Sequence, residues 1–155
     1  MADLDEARRA AGFSLREPAY LPEGFEFHMA QAIVFLGRPS IELNYWGPQA
    51  REWNVDPSGG SQGRNPPALR IVEMASADAP HEALTGLAVG PGSAEVLQLK
   101  GRPVLWVSGA YTGRGRWLPG GNQGLAVLED GDVLIFVWTN FSRPETLRVV
   151  ESMLR

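Results

Sequence analysis

Residues 133–138 read VLIFVW, an unbroken run of apolar side chains. Asp130 and Gly131 precede it, and Thr139 and Asn140 follow. A short apolar run rich in β-branched and aromatic residues and bounded by turn formers predicts a strand. A strand that is apolar at every position buries both of its faces, which places it at the centre of a sheet. Asp130-Gly131 is a strong signal for a two-residue hairpin joining it to GLAVLED. With Asp130 and Gly131 as the turn, Leu128 stands opposite Val133 and Ala126 opposite Ile135.

Much of the remaining chain reads the same way. AIVFLG, SIELNYWG, ALRIVEMAS, AEVLQLKG and PVLWVSGAY are β-branched or aromatic runs bounded by Gly, Pro or Asp. Before them, EPAYLPEGFEF (residues 17–27) is stiffened twice. Pro18 and Pro22 fix their own φ and push the preceding residues out of the helical region, so residues 17–22 run extended, with Tyr20 and Leu21 on the core. Pro22-Glu23-Gly24 then turns the chain. Phe25, Phe27 and Met29 alternate with Glu26 and His28, the period of a half-buried strand with its apolar set on one side.

Helices are expected at both ends. Asp3 caps a short helix that Gly12 stops, with Asp5 and Glu6 at the positive end and Arg8 and Arg9 at the negative end. Ser142 and Glu145 form a capping box, Pro144 lies in the first turn, and Leu147, Val150 and Leu154 share a stripe with Met153 beside it. The fold class that follows is α+β: a largely antiparallel, curved sheet of about six to eight strands with the C-terminal helix packed on it. The expected layout is one domain over residues 1–155, with the N-terminal helix in 1–12, the sheet in 18–139 and the C-terminal helix in 142–154.

Composition narrows the function classes. The 155 residues carry a net charge of -4 and no basic run, which does not favour nucleic acid. No cysteine is present, so disulfides, thiolate catalysis and Cys-ligated zinc are excluded. The two histidines, His28 and His81, lack metal-binding spacing, and His28 with Glu26 makes only two ligands of one phase. No apolar run is long enough to span a bilayer, and MADLDEARRAAG is acidic and helical, unlike a signal peptide.

No motif assembles a reaction. GRGRW and PGGNQG are glycine-dense, but neither a helix nor Gly-Lys-Ser/Thr follows, so phosphate binding by those devices is not supported. VSGAY lacks the nucleophile elbow around Ser108. Glu26, Glu42 and Glu73 alternate with apolar neighbours and are expected on a solvent-facing side of the sheet. Asp130 and Asp132 are accounted for by turn chemistry. Trp106 and Trp138 lie mid-strand and are expected in the core. The candidate contact residues are Trp46 at a strand end, Trp53 in the long Gly/Pro-rich stretch 47–68, and Arg114, Arg116 and Trp117 in the stretch 112–123. Arg and Trp dominate binding hot spots, and a groove lined by Trp46, Trp53 and Trp117 would suit an apolar ligand or a peptide. No catalytic residue, metal ligand or cofactor is assigned.

PAYLPEGFEF, IELNYWG, LRIVEMAS, GRPVLWVSG and SRPETLRVVESML, in that order over residues 18–154, resemble a bacterial domain family of unknown function. Its members lie at the extracytoplasmic C-terminal end of anti-sigma-factor-like regulators and lipoproteins. The resemblance implies a sheet curved around a helix, similar to the half-barrel of lipoprotein carriers. It also implies an extracytoplasmic setting, periplasmic or cell-surface, once an anchor is removed; without that resemblance the expectation is cytoplasmic. The expected role is a non-catalytic sensing or interaction domain for an envelope protein, a peptide or a lipid-like ligand. The alternatives are a carrier with an internal apolar cavity, and a hydrolase using the strand carboxylates.

Overall fold

The computed structural model describes residues 3–48, 68–76, 92–111, 117–118 and 124–154. The stretches 49–67, 77–91, 112–116 and 119–123 lie outside the described residues, and with them most of the two long loops expected from sequence. The elements are α1 (Leu4–Ala11), β1 (Glu26–Phe35), β2 (Arg38–Trp46), β3 (Ala68–Ala75), β4 (Ala94–Leu99), β5 (Arg102–Ser108), β6 (Ala110–Tyr111), β7 (Trp117–Leu118), β8 (Gly124–Asp130), β9 (Val133–Thr139) and α2 (Arg143–Met153). Seven strands make one open, curved antiparallel sheet in the order β1-β2-β3-β9-β8-β5-β4, and β6 pairs with β7 separately. The class is α+β, as expected.

β9 sits between β3 and β8, and all of Val133, Leu134, Ile135, Phe136 and Val137 are buried. Val133, Ile135 and Val137 join the core beneath the helices, while Leu134 and Phe136 join an apolar cluster on the opposite, far face. The continuous apolar run therefore does fill both sides of a central strand.

The helix-bearing face collects Ala30, Ile41, Leu43, Leu69, Ile71, Ala126 and Leu128 against Ala7 of α1 and Val149, Val150 and Met153 of α2. Asp3 caps α1 by accepting a hydrogen bond from the Glu6 amide at 2.7 Å, and Gly12 ends it at φ 70°. Ser142 caps α2 through the Glu145 amide at 3.4 Å. The capping box is only half formed, because the Glu145 carboxylate instead accepts from the Tyr20 hydroxyl at 2.6 Å. Tyr20 also donates its backbone amide to the Ser152 hydroxyl at 3.1 Å and lies under the Arg148 guanidinium. The double-proline segment is thus a strap tied to α2. It ends in a turn closed by the Phe25 amide on the Pro22 carbonyl, with Gly24 at φ 80°. Ser142→Ala removes the cap and is expected to cost about 1 kcal/mol. An unaltered thermal midpoint would mean that the first turn does not depend on the hydroxyl.

Three expectations about the strands need correction. FEFHMA and AIVFLG are not two strands but one, β1, and a bulge between Phe27 and Met29 breaks its alternation. Phe27 stacks edge-on with Tyr45 in the core, whereas Met29 pairs with Asn44 on the far face, so the set Phe25, Phe27, Met29 does not stay on one side. The β8–β9 register differs as well. The turn is Gly131-Asp132, so Asp130 faces Val133, Leu128 faces Ile135 and Ala126 faces Val137. The expected pairing was two residues short, and a shift by two leaves every side chain on its own face, so the apolar pattern cannot detect it. The third concerns the carboxylates: Glu26 is exposed, but Glu42 and Glu73 are buried, at 7% and 0% exposure.

Candidate functional site

The register places three rows of side chains across the far face. Gln31, Glu42, Val72, Phe136, Val127, Leu105 and Val96 form one row from β1 to β4. Met29, Asn44, Arg70, Trp138, Leu125, Val107 and Ala94 form the next. Glu26, Trp46 and Ala68 begin a third, and the bulged His28 stacks on Trp46 with ring centroids 3.3 Å apart.

Where the first two rows meet, an aromatic and a polar group lie side by side. Phe35 packs edge-on against Phe136 and Trp138, with centroids 5.0 Å and 5.4 Å away. The Arg70 guanidinium lies 4.9 Å from the Trp138 ring centre and 3.1 Å from the Glu42 carboxylate. Asn44 donates to the same carboxylate at 2.8 Å. Glu42 is thereby held between two donors while Arg70 keeps 43% of its side-chain surface. Burial alone would raise the Glu42 carboxyl, but hydrogen bonds from Arg70, Asn44 and Gln31 and the Arg70 charge outweigh it, and its pKa is lowered. A lowered folded-state pKa means that the unfolded chain binds the proton more readily. The resulting stabilisation is present above the unfolded value of about 4.3 and is lost as pH falls through the folded one. The stability gap between the unaltered chain and Glu42→Gln should therefore narrow steadily below about pH 4. A gap independent of pH would exclude that linkage.

A second charged cluster lies on the helix-bearing face at the β8–β9 turn. Arg16, at 7% exposure, donates from Nε to Asp130 at 2.8 Å and from Nη2 to the Asp130 carbonyl at 3.1 Å. Arg102 pairs with the other Asp130 oxygen. Glu73 accepts the Arg16 backbone amide through both oxygens, at 2.9 Å and 3.2 Å. Asp130 is therefore far more than a turn former: at 2% exposure it is the acceptor that ties the strap to the sheet. Nearby, burial and the charges of Glu17 and Glu73 push the Tyr45 phenol well above its ordinary range.

Of the five contact residues expected from sequence, Trp46 lies on the far face in the His28 stack. Trp117 pairs through its backbone with Tyr111, but its side chain is not among those described. Trp53, Arg114 and Arg116 lie outside the described residues. Trp106 is buried as expected, whereas Trp138 is half-buried at the centre of the far-face group. Arg70 and Phe35 carry no signal of their own in the sequence, and Glu42 is expected there only as a solvent-facing strand carboxylate. Only their common phase on paired strands could have joined them, and that phase needs the β1 bulge and the β2–β3–β9 order.

Among the described residues, no group of three or more His, Cys, Asp or Glu side chains is placed to hold a metal ion. No helix among them is long and apolar enough to cross a membrane. Comparison with family models, with curated proteins and with solved structures returns no match.

Proposed function

We infer that this chain is a non-catalytic binding domain, working outside the cytoplasm, that receives a protein or peptide segment on the far face of its sheet. The carrying observation is the half-buried Trp138 and Phe35 beside the partly exposed Arg70, with Trp46 and His28 stacked on the same face. Arg over Trp offers a cation, a planar donor fork and apolar area together, the chemistry that dominates binding hot spots. Glu42 and Asn44 orient that guanidinium from below, so its position is largely set before a partner arrives. The resemblance to the extracytoplasmic domains of anti-sigma-factor-like regulators and lipoproteins supports the setting and an envelope partner. The five residues singled out from sequence, Trp46, Trp53, Arg114, Arg116 and Trp117, remain part of the proposed contact set.

The test is affinity capture from envelope extract with the unaltered chain and with Arg70→Ala and Trp46→Ala. A partner held by the unaltered chain and lost from both variants is the expected result. A captured set indifferent to both substitutions excludes the far face. Recovery of the native protein in the cytosolic fraction of its source excludes the setting.

The far-face cluster of Val72, Met74, Val107, Leu125, Val127, Leu134 and Phe136 supports the carrier as a second reading. Native mass spectrometry of freshly purified protein separates the two, since a carrier retains a small apolar ligand.

A further inference from the structure

We propose that the chain forms a two-fold dimer in which β4 pairs antiparallel with β4 of a second copy, joining two sheets into one. The hairpin between β4 and β5 fixes the hydrogen-bonding phase of this edge. Leu99 faces Arg102 across the two-residue turn Lys100-Gly101, both of whose residues have positive φ, 49° and 75°. The pair flanking such a turn exchanges its hydrogen bonds, so alternate pairs back along the strand, Leu97 with Val104 and Glu95 with Trp106, do the same. The Ser108 amide on the Ser93 carbonyl, at 2.9 Å, continues that phase. The remaining β4 residues, Ala94, Val96 and Gln98, direct their amides and carbonyls outward from the sheet. No other strand among those described pairs with β4 on that side.

An open edge is ordinarily protected by proline, lysine, a bulge or a covering element. The other edge strand, β1, carries the bulge and takes contact from α1. β4 has none of these among the described residues, and its one charge, Glu95, is drawn to Arg143 of α2 on the helix-bearing face. Val96 stands at the middle of the strand and is 65% exposed.

A second copy is the occupant that this edge fits best, because the strand is complementary to itself. With Val96 on the two-fold axis, Val96 faces its own mate, Ala94 faces Gln98, and Glu95 faces Leu97. No like charges are opposed, and all three outward residues find partners. The far-face row Phe136, Val127, Leu105, Val96 then runs on without interruption into the same row of the second copy. This inference rests on β4 alone and stands or falls separately from the function of the Arg70 face.

The absence of cysteine from the chain allows a direct test of register. Residue 96 and its mate form a hydrogen-bonded pair with Cα atoms about 5.5 Å apart, inside the disulfide range of roughly 4.4–6.8 Å. Residue 98 and its own mate lie about four residues, some 13 Å, apart along the strands. Val96→Cys should form a covalent dimer under mild oxidation and Gln98→Cys should not. Sedimentation of the unaltered chain from micromolar to millimolar concentration should show a monomer–dimer equilibrium. Val96→Lys, which sets two ammonium groups face to face, should weaken it by about tenfold or more, without lowering the melting temperature at concentrations where the unaltered chain is monomeric. The cysteine pair decides the question even if Val96→Lys fails to fold. A chain that stays monomeric at millimolar concentration, a dimer indifferent to Val96→Lys, or crosslinking at Gln98→Cys in place of Val96→Cys overturns the proposal. The last result would assign the edge to another register between two copies.

Discussion

Asp130→Ala is expected to lower stability by about 3–5 kcal/mol, the range for removing one member of a buried ion pair. Asp130 is 2% exposed and receives Arg16 and Arg102. Alanine would leave the Arg16 guanidinium, itself 7% exposed, with the Ser14 and Asp130 carbonyls and a distant Asp132 carboxylate, 3.7 Å away. The cost comes from a stranded charge more than from a lost bond. Asp130→Asn keeps an acceptor oxygen and should lose less. Adding Arg16→Met to Asp130→Ala removes the stranded charge, so the double substitution should cost less than the two single ones summed. Urea unfolding monitored by tryptophan fluorescence measures all four. Simple additivity, or a loss below about 1 kcal/mol for Asp130→Ala, would show that the cluster contributes little.

Gly124→Ala is expected to cost about 1–3 kcal/mol by overpacking. A Cβ on Gly124 would lie 2.3 Å from Cη2 and 2.6 Å from Cζ2 of Trp106. The ring cannot simply swing away. It is 4% exposed, packed in the main core and covered by Arg143, whose guanidinium lies 5.7 Å from its centre. Glycine is required here for space and not for backbone freedom, which makes the effect reversible in principle. Trp106→Leu in the Gly124→Ala background should recover part of the loss, although Trp106→Leu alone destabilises. A Gly124→Ala chain as stable as the original would show that the β5–β8 pair can spread to admit a methyl group.

Much of the architecture was legible because it follows from local chemistry. Asp3 and Gly12 mark the ends of α1 through groups within a few residues of each other, and Ser142 does the same for α2. The all-apolar run at 133–138 required the middle of the sheet. The strap was readable from Pro18 and Pro22, though not its ties to Glu145 and Ser152, which lie more than a hundred residues further along the chain.

The candidate site was less legible. Trp46 is a contact candidate by residue type, and it lies on the far face. Arg70 and Glu42 do not stand out as contact residues, since a charged residue alternating with apolar ones reads as solvent-facing. What makes them a group is that β2, β3 and β9 bring positions 42, 70 and 138 within reach of one another. Met29 comes to the same face only because of the bulge, which no periodicity in the sequence announces, whereas His28 keeps the side it shares with Glu26.

The amino-acid order alone determined the class, the helix ends and the strand at the centre, because caps, prolines and apolar runs act over a turn or two of chain. Tertiary structure decided the hairpin register and the fate of the charges. A register shift of two residues conserves every face, so apolar burial is the same in both pairings. What distinguishes them is whether Asp130 reaches Arg16, a contact across more than a hundred residues of chain. A carboxylate can be buried only where a distant cation or amide meets it, and only the folded chain supplies that meeting.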